Sequence, residues 1–130
     1  MATIKTHTDI PQSKKLAKFL PIESADMFWY RDAVITEVNP RIMNYMQVPE
    51  LQSMYYSPCF SLTALLELLP RYIEIDGHTT YLDIYKTENL GWVIEYADNI
   101  SDFVENAFNG QFLIDACYEM ILKLHELNLL

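Results

Sequence analysis

Residues 71–96 place the strongest constraint on the fold, because polar and apolar side chains alternate there with a period of two. This alternation is typical of strands in a sheet that buries one of its faces. The pair Asp76-Gly77 separates two such runs and favours a tight hairpin, since glycine accepts a positive φ at little cost. A second turn, ending at Gly91, leads into a third run. The sequence therefore predicts an antiparallel meander of three strands.

The alternation also divides the side chains of this meander between an apolar face and a face rich in tyrosines and acids. The side chains predicted to point inward are Ile73, Ile75, Leu82, Ile84, Trp92, Ile94 and Tyr96. The side chains predicted to point outward are Tyr72, Glu74, Tyr81, Asp83, Tyr85 and Glu95. The inward face needs a cover from other elements of the chain.

Four segments space their apolar residues as a helix does. The clearest two are residues 61–69, which begin with Ser61 as the N-cap, and residues 113–127, which carry a stripe of large apolar side chains. Shorter patterns occupy residues 11–20 and 100–108. We therefore expect an α+β fold in which a small three-stranded antiparallel sheet has two or three helices packed on one face.

The N-terminal half of the chain has a less regular pattern. Three prolines interrupt residues 28–58, so we expect a long irregular segment with short extended pieces there. Residues 1–9 are predicted to form a flexible tail. No linker or internal repeat divides the chain, and 130 residues suffice to bury one core, so we expect a single domain over residues 1–130.

The net charge limits the kinds of partner that the chain can bind. The chain carries −9 overall, but its first twenty residues hold four lysines against one aspartate, so the remaining 110 carry −12. An acidic body repels phosphate backbones, which argues against nucleic acid as a partner. Because the chain has neither an apolar run of about 18 residues nor the apolar core of a signal peptide, we expect a cytoplasmic protein without a membrane partner.

The two cysteines, Cys59 and Cys117, stand in apolar surroundings and outside any CxxC motif. We expect both to be buried free thiols. On a helix, Cys117 and His125 would lie about 12 Å apart along the axis, whereas a catalytic Cys–His pair needs a hydrogen bond of about 3 Å. Cys117 is therefore predicted to be inert.

The sequence predicts no catalytic, cofactor-binding or metal site. The three histidines, at positions 7, 78 and 125, follow no metal-ligand spacing, and no phosphate-binding loop or nucleophile motif is present. Glu74 and Asp83 could face each other across the hairpin as a catalytic carboxylate pair. Adjacent acids on a solvated strand face are usually only solubilising charge, so we interpret these two in that way.

The aromatic residues are the feature that points to a protein partner. Tyr72, Tyr81 and Tyr85 would stand on the outer sheet face beside acids, and tyrosine is enriched at protein interfaces. We expect residues 28–58 to cover these tyrosines, because a bare sheet with this much aromatic surface tends to aggregate. The partner would then bind the aromatic side chains of that covering segment. The candidate partner surface comprises Phe28, Trp29, Tyr55, Tyr56, Tyr72, Tyr81 and Tyr85.

Three stretches of the chain carry a resemblance to a known family. They read QSKKLAKFLPIESADMFWY over residues 12–30, PCFSLTALLELLP over 58–70 and LIDACYEMILKLHELNLL over 113–130. They resemble a family of small uncharacterised proteins from phages, prophages and mobile elements of Bacteroides-type gut bacteria. The chain has Phe60 where the family has Trp, and residues 99–111 look like an insertion. The resemblance implies a mobile-element origin and no catalytic residues.

Three hypotheses for the function follow. The leading one is a non-enzymatic accessory or interaction protein of a phage or mobile element that acts through protein–protein contacts. An acidic anti-defence or DNA-mimic inhibitor would need acids in one phosphate-like array. A small enzyme would need a pocket with converging polar residues.

Overall fold

The computed structural model describes residues 4–30, 41–42, 56–98 and 103–130. Internal contacts divide the chain into two compact units, one of residues 6–64 and one of residues 65–130 together with Ile4 and Lys5. This division does not test the expected single domain, which stays a prediction. Within the described residues the fold is α+β, with three helices and a four-stranded antiparallel curled sheet. The predicted α+β class is therefore confirmed, whereas the predicted sheet of three strands is not.

Short helices and strands make up the described N-terminal half of the chain, and longer ones predominate in the C-terminal half. The N-terminal elements are α1 (Ile10–Ala17), a 3-10 turn (Ile22–Ser24), β1 (Met27–Tyr30), β2 (Arg41–Ile42), β3 (Tyr56–Cys59) and α2 (Leu62–Leu68). The C-terminal elements are β4 (Tyr72–Ile75), β5 (His78–Thr87), β6 (Gly91–Asp98), β7 (Phe103–Gly110) and α3 (Leu113–Glu126).

The four-stranded sheet has the strand order β4-β5-β6-β7, and each neighbouring pair is antiparallel. Asp76 and Gly77 form the first turn with φ angles of 52° and 81°. Positive φ at both central residues is the geometry that matches the twist of a two-residue hairpin. The predicted hairpin is therefore confirmed, and the first three strands of the sheet are the predicted meander.

The fourth strand is a correction to the sequence prediction. Residues 100–108 space their apolar side chains as a helix does, yet Phe103–Gly110 is strand β7. The register with β6 shifts between Tyr96 and Ala97, so that Asn106 lies opposite Tyr96 but Val104 lies opposite Ala97. A bulge of this kind inserts one residue and breaks the period of two, and here the irregular spacing resembles a helical one.

The core of the second unit lies between the sheet and α3, which packs on β6 and β7. Tyr96 is fully buried, and its hydroxyl donates a 2.6 Å hydrogen bond to the carbonyl oxygen of Pro70. Lys5 forms a 2.6 Å ion pair with Asp115 in the first turn of α3. The buried residues of α3 are Ile114, Ala116, Cys117, Tyr118, Met120, Ile121 and Leu124.

The predicted inward residues of the meander differ in their degree of burial. Ile73, Ile94 and Tyr96 are buried, and the other four are half-buried: Ile75, Leu82, Ile84 and Trp92. Strand β6 buries residues on both faces, because Val93 and Ala97 are buried as well. Val93 and Ala97 lie opposite Tyr85 and Tyr81 of β5, so the outer face of the sheet is buried at β6 although it is exposed at β5.

The first unit holds a small sheet of strand order β2-β1-β3, with α1 packed against β3. Asp9 caps α1 through a capping box, in which its side chain accepts a 2.8 Å hydrogen bond from the Gln12 backbone and the Gln12 side chain accepts one from the Asp9 backbone. The expected irregular segment therefore contains paired strands, while its residues 31–40 and 43–55 lie outside the described ones.

Residues 6–9, which the sequence places in a flexible tail, are part of the folded first unit. Thr8 is fully buried, and its backbone N–H donates a 2.9 Å hydrogen bond to the carbonyl oxygen of Phe60. The Thr8 hydroxyl accepts a 3.1 Å bond from the Phe60 backbone N–H and lies 2.7 Å from the hydroxyl of Ser13. A short polar segment thus joins α1 to the residue that follows β3.

Replacing Thr8 with Val should lower the free energy of unfolding by about 1–3 kcal/mol, because the buried N–H of Phe60 loses its acceptor. Urea denaturation measures this loss. The matched control is Thr6→Val, since the Thr6 hydroxyl is exposed and lies 3.2 Å from the ring of its chain neighbour His7. That change should cost about 0.5 kcal/mol or less. Equal losses in the two variants would contradict a structural role for the Thr8 hydroxyl.

Candidate functional site

The outer side of the four-stranded sheet carries the exposed aromatic residues that the sequence predicted. The strand register places Tyr72 opposite Tyr81 and Asp83 opposite Glu95. Paired residues of an antiparallel sheet share a face, so these side chains form one surface. We call this surface the tyrosine face, and its members are Tyr72, Glu74, Tyr81, Asp83, Tyr85 and Glu95.

The three tyrosines of this face are accessible to solvent. Their exposed fractions are 53% for Tyr72, 47% for Tyr81 and 39% for Tyr85. The rings of Tyr72 and Tyr81 have centroids 6.2 Å apart and planes tilted by 51°. Aromatic pairs favour such offset arrangements over a face-to-face stack. The predicted outward orientation of these residues is therefore confirmed, and two of the rings form a pair.

The acids of the tyrosine face lie close to the tyrosines. Asp83 and Glu95 are directly opposite each other on neighbouring strands, and like charges in that position destabilise a sheet. Partial burial, the charge of Glu95 and a hydrogen bond to Glu95 raise the pKa of Tyr85. The face therefore has a concentrated negative charge beside hydroxyl-bearing rings.

A shallow, open pocket of about 330 Å³ lies at the β4–β5 end of the tyrosine face. Thr79 donates a 3.3 Å hydrogen bond to Glu74, which lies opposite it in the strand register. The pocket thus combines two aromatic rings, a carboxylate, a hydroxyl and a guanidinium group. Its lining residues are Arg71, Tyr72, Glu74, Thr79 and Tyr81.

Arg71 and Thr79 are the members of this pocket that the sequence prediction did not include. The position of Thr79 could have been derived, because a two-residue turn at Asp76-Gly77 fixes Thr79 opposite Glu74. Arg71 stands immediately before β4 and outside its alternating pattern. Alternation therefore does not predict on which face of the sheet its side chain lies.

The expected approach of Glu74 and Asp83 across the hairpin is wrong. Glu74 lies opposite Thr79, and Asp83 lies opposite Glu95 on the next strand. The cross-strand carboxylate pair of this sheet is therefore Asp83 with Glu95. Asp83 is exposed and Glu95 is half-buried, so the interpretation as solvated charge fits Asp83 better than Glu95.

The other aromatic residues of the candidate partner surface do not join the tyrosine face. Trp29 is buried within the first unit, and its indole N–H donates a 3.2 Å hydrogen bond to the carbonyl oxygen of Thr8. It is a core residue and not a surface one. Phe28 and Tyr56 lie in paired strands, and their side chains, like all of Tyr55, fall outside the described residues.

The expectation that residues 28–58 cover the outer tyrosines rests mainly on residues outside the described ones. The side chains of the three tyrosines are exposed to solvent in the structure, so no described residue covers them fully. The alternative interpretation, in which the sheet face itself is the accessible aromatic surface, agrees with these exposed fractions.

Both cysteines are free and fully buried, as the sequence predicted. Burial raises the pKa of Cys59 to about 11, although hydrogen bonds with Thr8 and Ser13 act in the opposite direction. Burial also raises the pKa of Cys117 to about 12. Since the thiolate is the reactive form, both thiols are poor nucleophiles near neutral pH.

Neither a metal-binding group of side chains nor a membrane-spanning helix occurs in the part of the chain that the structure describes. No three His, Cys, Asp or Glu side chains come together there in a group that could hold a metal ion. None of the described helices is long and apolar enough to cross a membrane. The tyrosine face is accordingly the candidate functional site.

Comparison with protein-family models, with curated proteins and with solved structures finds no match to this chain.

Proposed function

We propose that this chain is a non-enzymatic interaction protein that binds another protein through the tyrosine face. The observation that carries the proposal is the exposure of Tyr72, Tyr81 and Tyr85 on one face of an ordered sheet. Tyrosine is enriched at protein interfaces because its ring supplies large contact area while its hydroxyl still bonds to water or a partner. Three such rings on one face supply the contact area that a protein partner needs.

The arrangement of the acids favours this proposal over a DNA mimic. A phosphate-like array needs regularly repeated negative charges, whereas Asp83 is the only acid of β5 and lies between Tyr81 and Tyr85 on the same face. The pocket also favours binding over catalysis. It is open and shallow, and the contact between Thr79 and Glu74 is a long hydrogen bond of 3.3 Å on the exposed sheet surface.

The biological setting is part of the proposal and rests on the motif resemblance. The three stretches quoted from residues 12–30, 58–70 and 113–130 support an accessory role in a phage or mobile element. The partner would then be a protein of the bacterial host or of the element itself, encountered in the cytoplasm.

The proposal is tested by affinity capture from lysate of a Bacteroides-type host, with and without infection by a phage. The double variant Tyr72→Ser/Tyr81→Ser should lose a protein that the wild-type chain retains. Because both rings are about half exposed, each single change should cost about 1 kcal/mol or less, so urea denaturation should show a folded variant.

Leu90→Ser is the matched control for this experiment. Leu90 is an exposed apolar residue in the turn between β5 and β6, outside the tyrosine face. The control should capture the same proteins as the wild type. Identical capture by the tyrosine double variant and the wild type would contradict the proposed binding surface.

A further inference from the structure

We propose that the pocket between Tyr72 and Tyr81 receives a lysine or arginine side chain of the partner, so that the partner's docking segment is basic. This inference rests on the proposed function and specifies the chemistry of the partner. It follows from the pairing of aromatic rings with carboxylates at one place on the surface.

The aromatic rings supply the first part of the argument. Tyr72 and Tyr81 line the same pocket, and their ring centroids are 6.2 Å apart. A cation within about 6 Å of a ring centroid is attracted by the negative charge on the ring face. Because the two centroids are this close, a single ammonium or guanidinium group in the pocket can lie within about 6 Å of both rings. The two rings therefore form an incomplete cage that suits a cation.

The carboxylates supply the second part. Glu74 lines the pocket itself, and Asp83 follows Tyr81 by two residues, which is about 7 Å along β5. Asp83 and Glu95 repel each other across the strands, and a nearby cation would relieve that repulsion. Cations are thus favoured both in the pocket and beside it. Two sites along one strand fit a segment of a polypeptide better than a small free cation.

Among the described strands β4 to β6, no basic side chain shares the face with these acids, and the nearby positive charge is that of Arg71, which lines the pocket just before β4. Lys86 of β5 instead lies 5.6 Å from the ring centroid of Trp92, which alternation places on the opposite face. The residues beyond position 20 carry a net charge of −12, so the long-range field also attracts a basic segment.

Arg71 limits how the pocket is filled. It lines one end of the pocket and brings a positive charge close to Tyr72. A cation bound beside the rings is repelled by that charge, so Arg71 opposes binding in the pocket while Glu74 favours it. The volume of about 330 Å³ lies at the lower end of the range of about 300–1,000 Å³ for ligand pockets, which agrees with a single side chain.

Fluorescence anisotropy with short labelled peptides tests the inference. The probes are (Arg-Ser)4, the uncharged isostere (citrulline-Ser)4 and the acidic (Glu-Ser)4. At low salt the arginine peptide should bind about tenfold more tightly than the citrulline peptide, and the glutamate peptide should not bind. Equal binding of the arginine and citrulline peptides would overturn the inference.

Variants of the pocket locate the cation. Tyr72→Ser should weaken binding of the arginine peptide about fivefold, and Tyr72→Phe should restore it, because phenylalanine keeps the ring face. Glu74→Gln should weaken binding about threefold. The matched control is Glu119→Gln, which removes the same charge from an exposed position on α3 and should leave the dissociation constant nearly unchanged. Equal weakening by both glutamate variants would show non-specific attraction and overturn the inference.

Arg71→Gln separates a cationic from an anionic occupant. If the pocket holds a cation, loss of the Arg71 charge should tighten binding of the arginine peptide about threefold. If the wild type binds the glutamate peptide and Arg71→Gln does not, the pocket holds an anionic group and the inference is overturned. A further outcome is that a protein is captured from lysate only when the tyrosines are present, but the arginine peptide does not bind. That result would refute the cationic occupant and would leave the proposed interaction function unaffected.

Discussion

Replacing Leu124 with Ala should lower the free energy of unfolding by about 2–5 kcal/mol. Leu124 is fully buried on α3, which packs on β6 and β7, and its side chain is part of the core of the second unit. The change removes its buried apolar contacts and leaves a cavity, since the surrounding side chains can relax only in part. Urea denaturation followed by circular dichroism measures the loss.

The control for this prediction is Leu127→Ala, about one helical turn after Leu124. Leu127 is the C-cap of α3 and is exposed, so the same chemical change should cost less than about 1 kcal/mol. A loss below about 1 kcal/mol for Leu124→Ala would show that the stripe of α3 does not form the core.

The position of α3 was predictable because its sequence signals agree with one another. A stripe of large apolar residues, Asp115 in the first turn and Lys123 in the last turn all favour a helix over residues 113–126. The Asp76-Gly77 hairpin was predictable for a similar reason. Its turn residues and the alternation of the flanking strands point to the same register.

Strand β7 was not predictable from spacing, because the bulge opposite Tyr96 and Ala97 breaks the alternation. A window of apolar residues at intervals of three and four is compatible with either a helix or a bulged strand. Only the pairing partner decides between them, and pairing with β6 is a tertiary interaction. The sequence therefore supported a three-stranded sheet where the chain forms a four-stranded one.

The buried polar residues of the first unit, Thr8 and Ser13, were not predictable from the sequence for a different reason. Thr8 and Ser13 are small polar residues that usually lie on the surface, and their burial depends on hydrogen bonds to each other and to Phe60. Residues distant in sequence supply those bonds. The predicted tail and the predicted surface role of Trp29 were both inaccurate because this network could not be derived from local patterns.

The tyrosine face was predictable in composition but not in detail. Period-two alternation placed Tyr72, Tyr81 and Tyr85 on one side, and the strand register then brought two of them together as a pair. The pocket is also lined by Arg71. This residue lies outside the strands, so the alternation of strand residues does not predict the position of its side chain. Alternation thus defined which residues share the surface, whereas the pocket required three-dimensional contacts.

Raising the pH from 9 to 11 should lower the free energy of unfolding by about 4 kcal/mol through the two buried thiols alone. Burial raises the pKa of Cys59 from 9.0 to about 11 and that of Cys117 from 9.0 to about 12. Within this window the unfolded chain releases thiol protons that the folded chain retains, so stability is present below pH 9 and decreases as the pH rises. Urea denaturation at intervals of pH, with a reductant present, measures the slope.

The variant Cys59→Ala/Cys117→Ala provides the control, because it lacks both thiols and keeps the buried Tyr96. Tyr96, whose pKa is raised by burial and by the nearby Cys117, adds a loss of stability above pH 10 in the wild type. The difference between the two slopes therefore reports the two thiols together with the effect of Cys117 on Tyr96. If the wild type and the double variant lose stability equally between pH 9 and 11, the thiols are not buried as the structure places them.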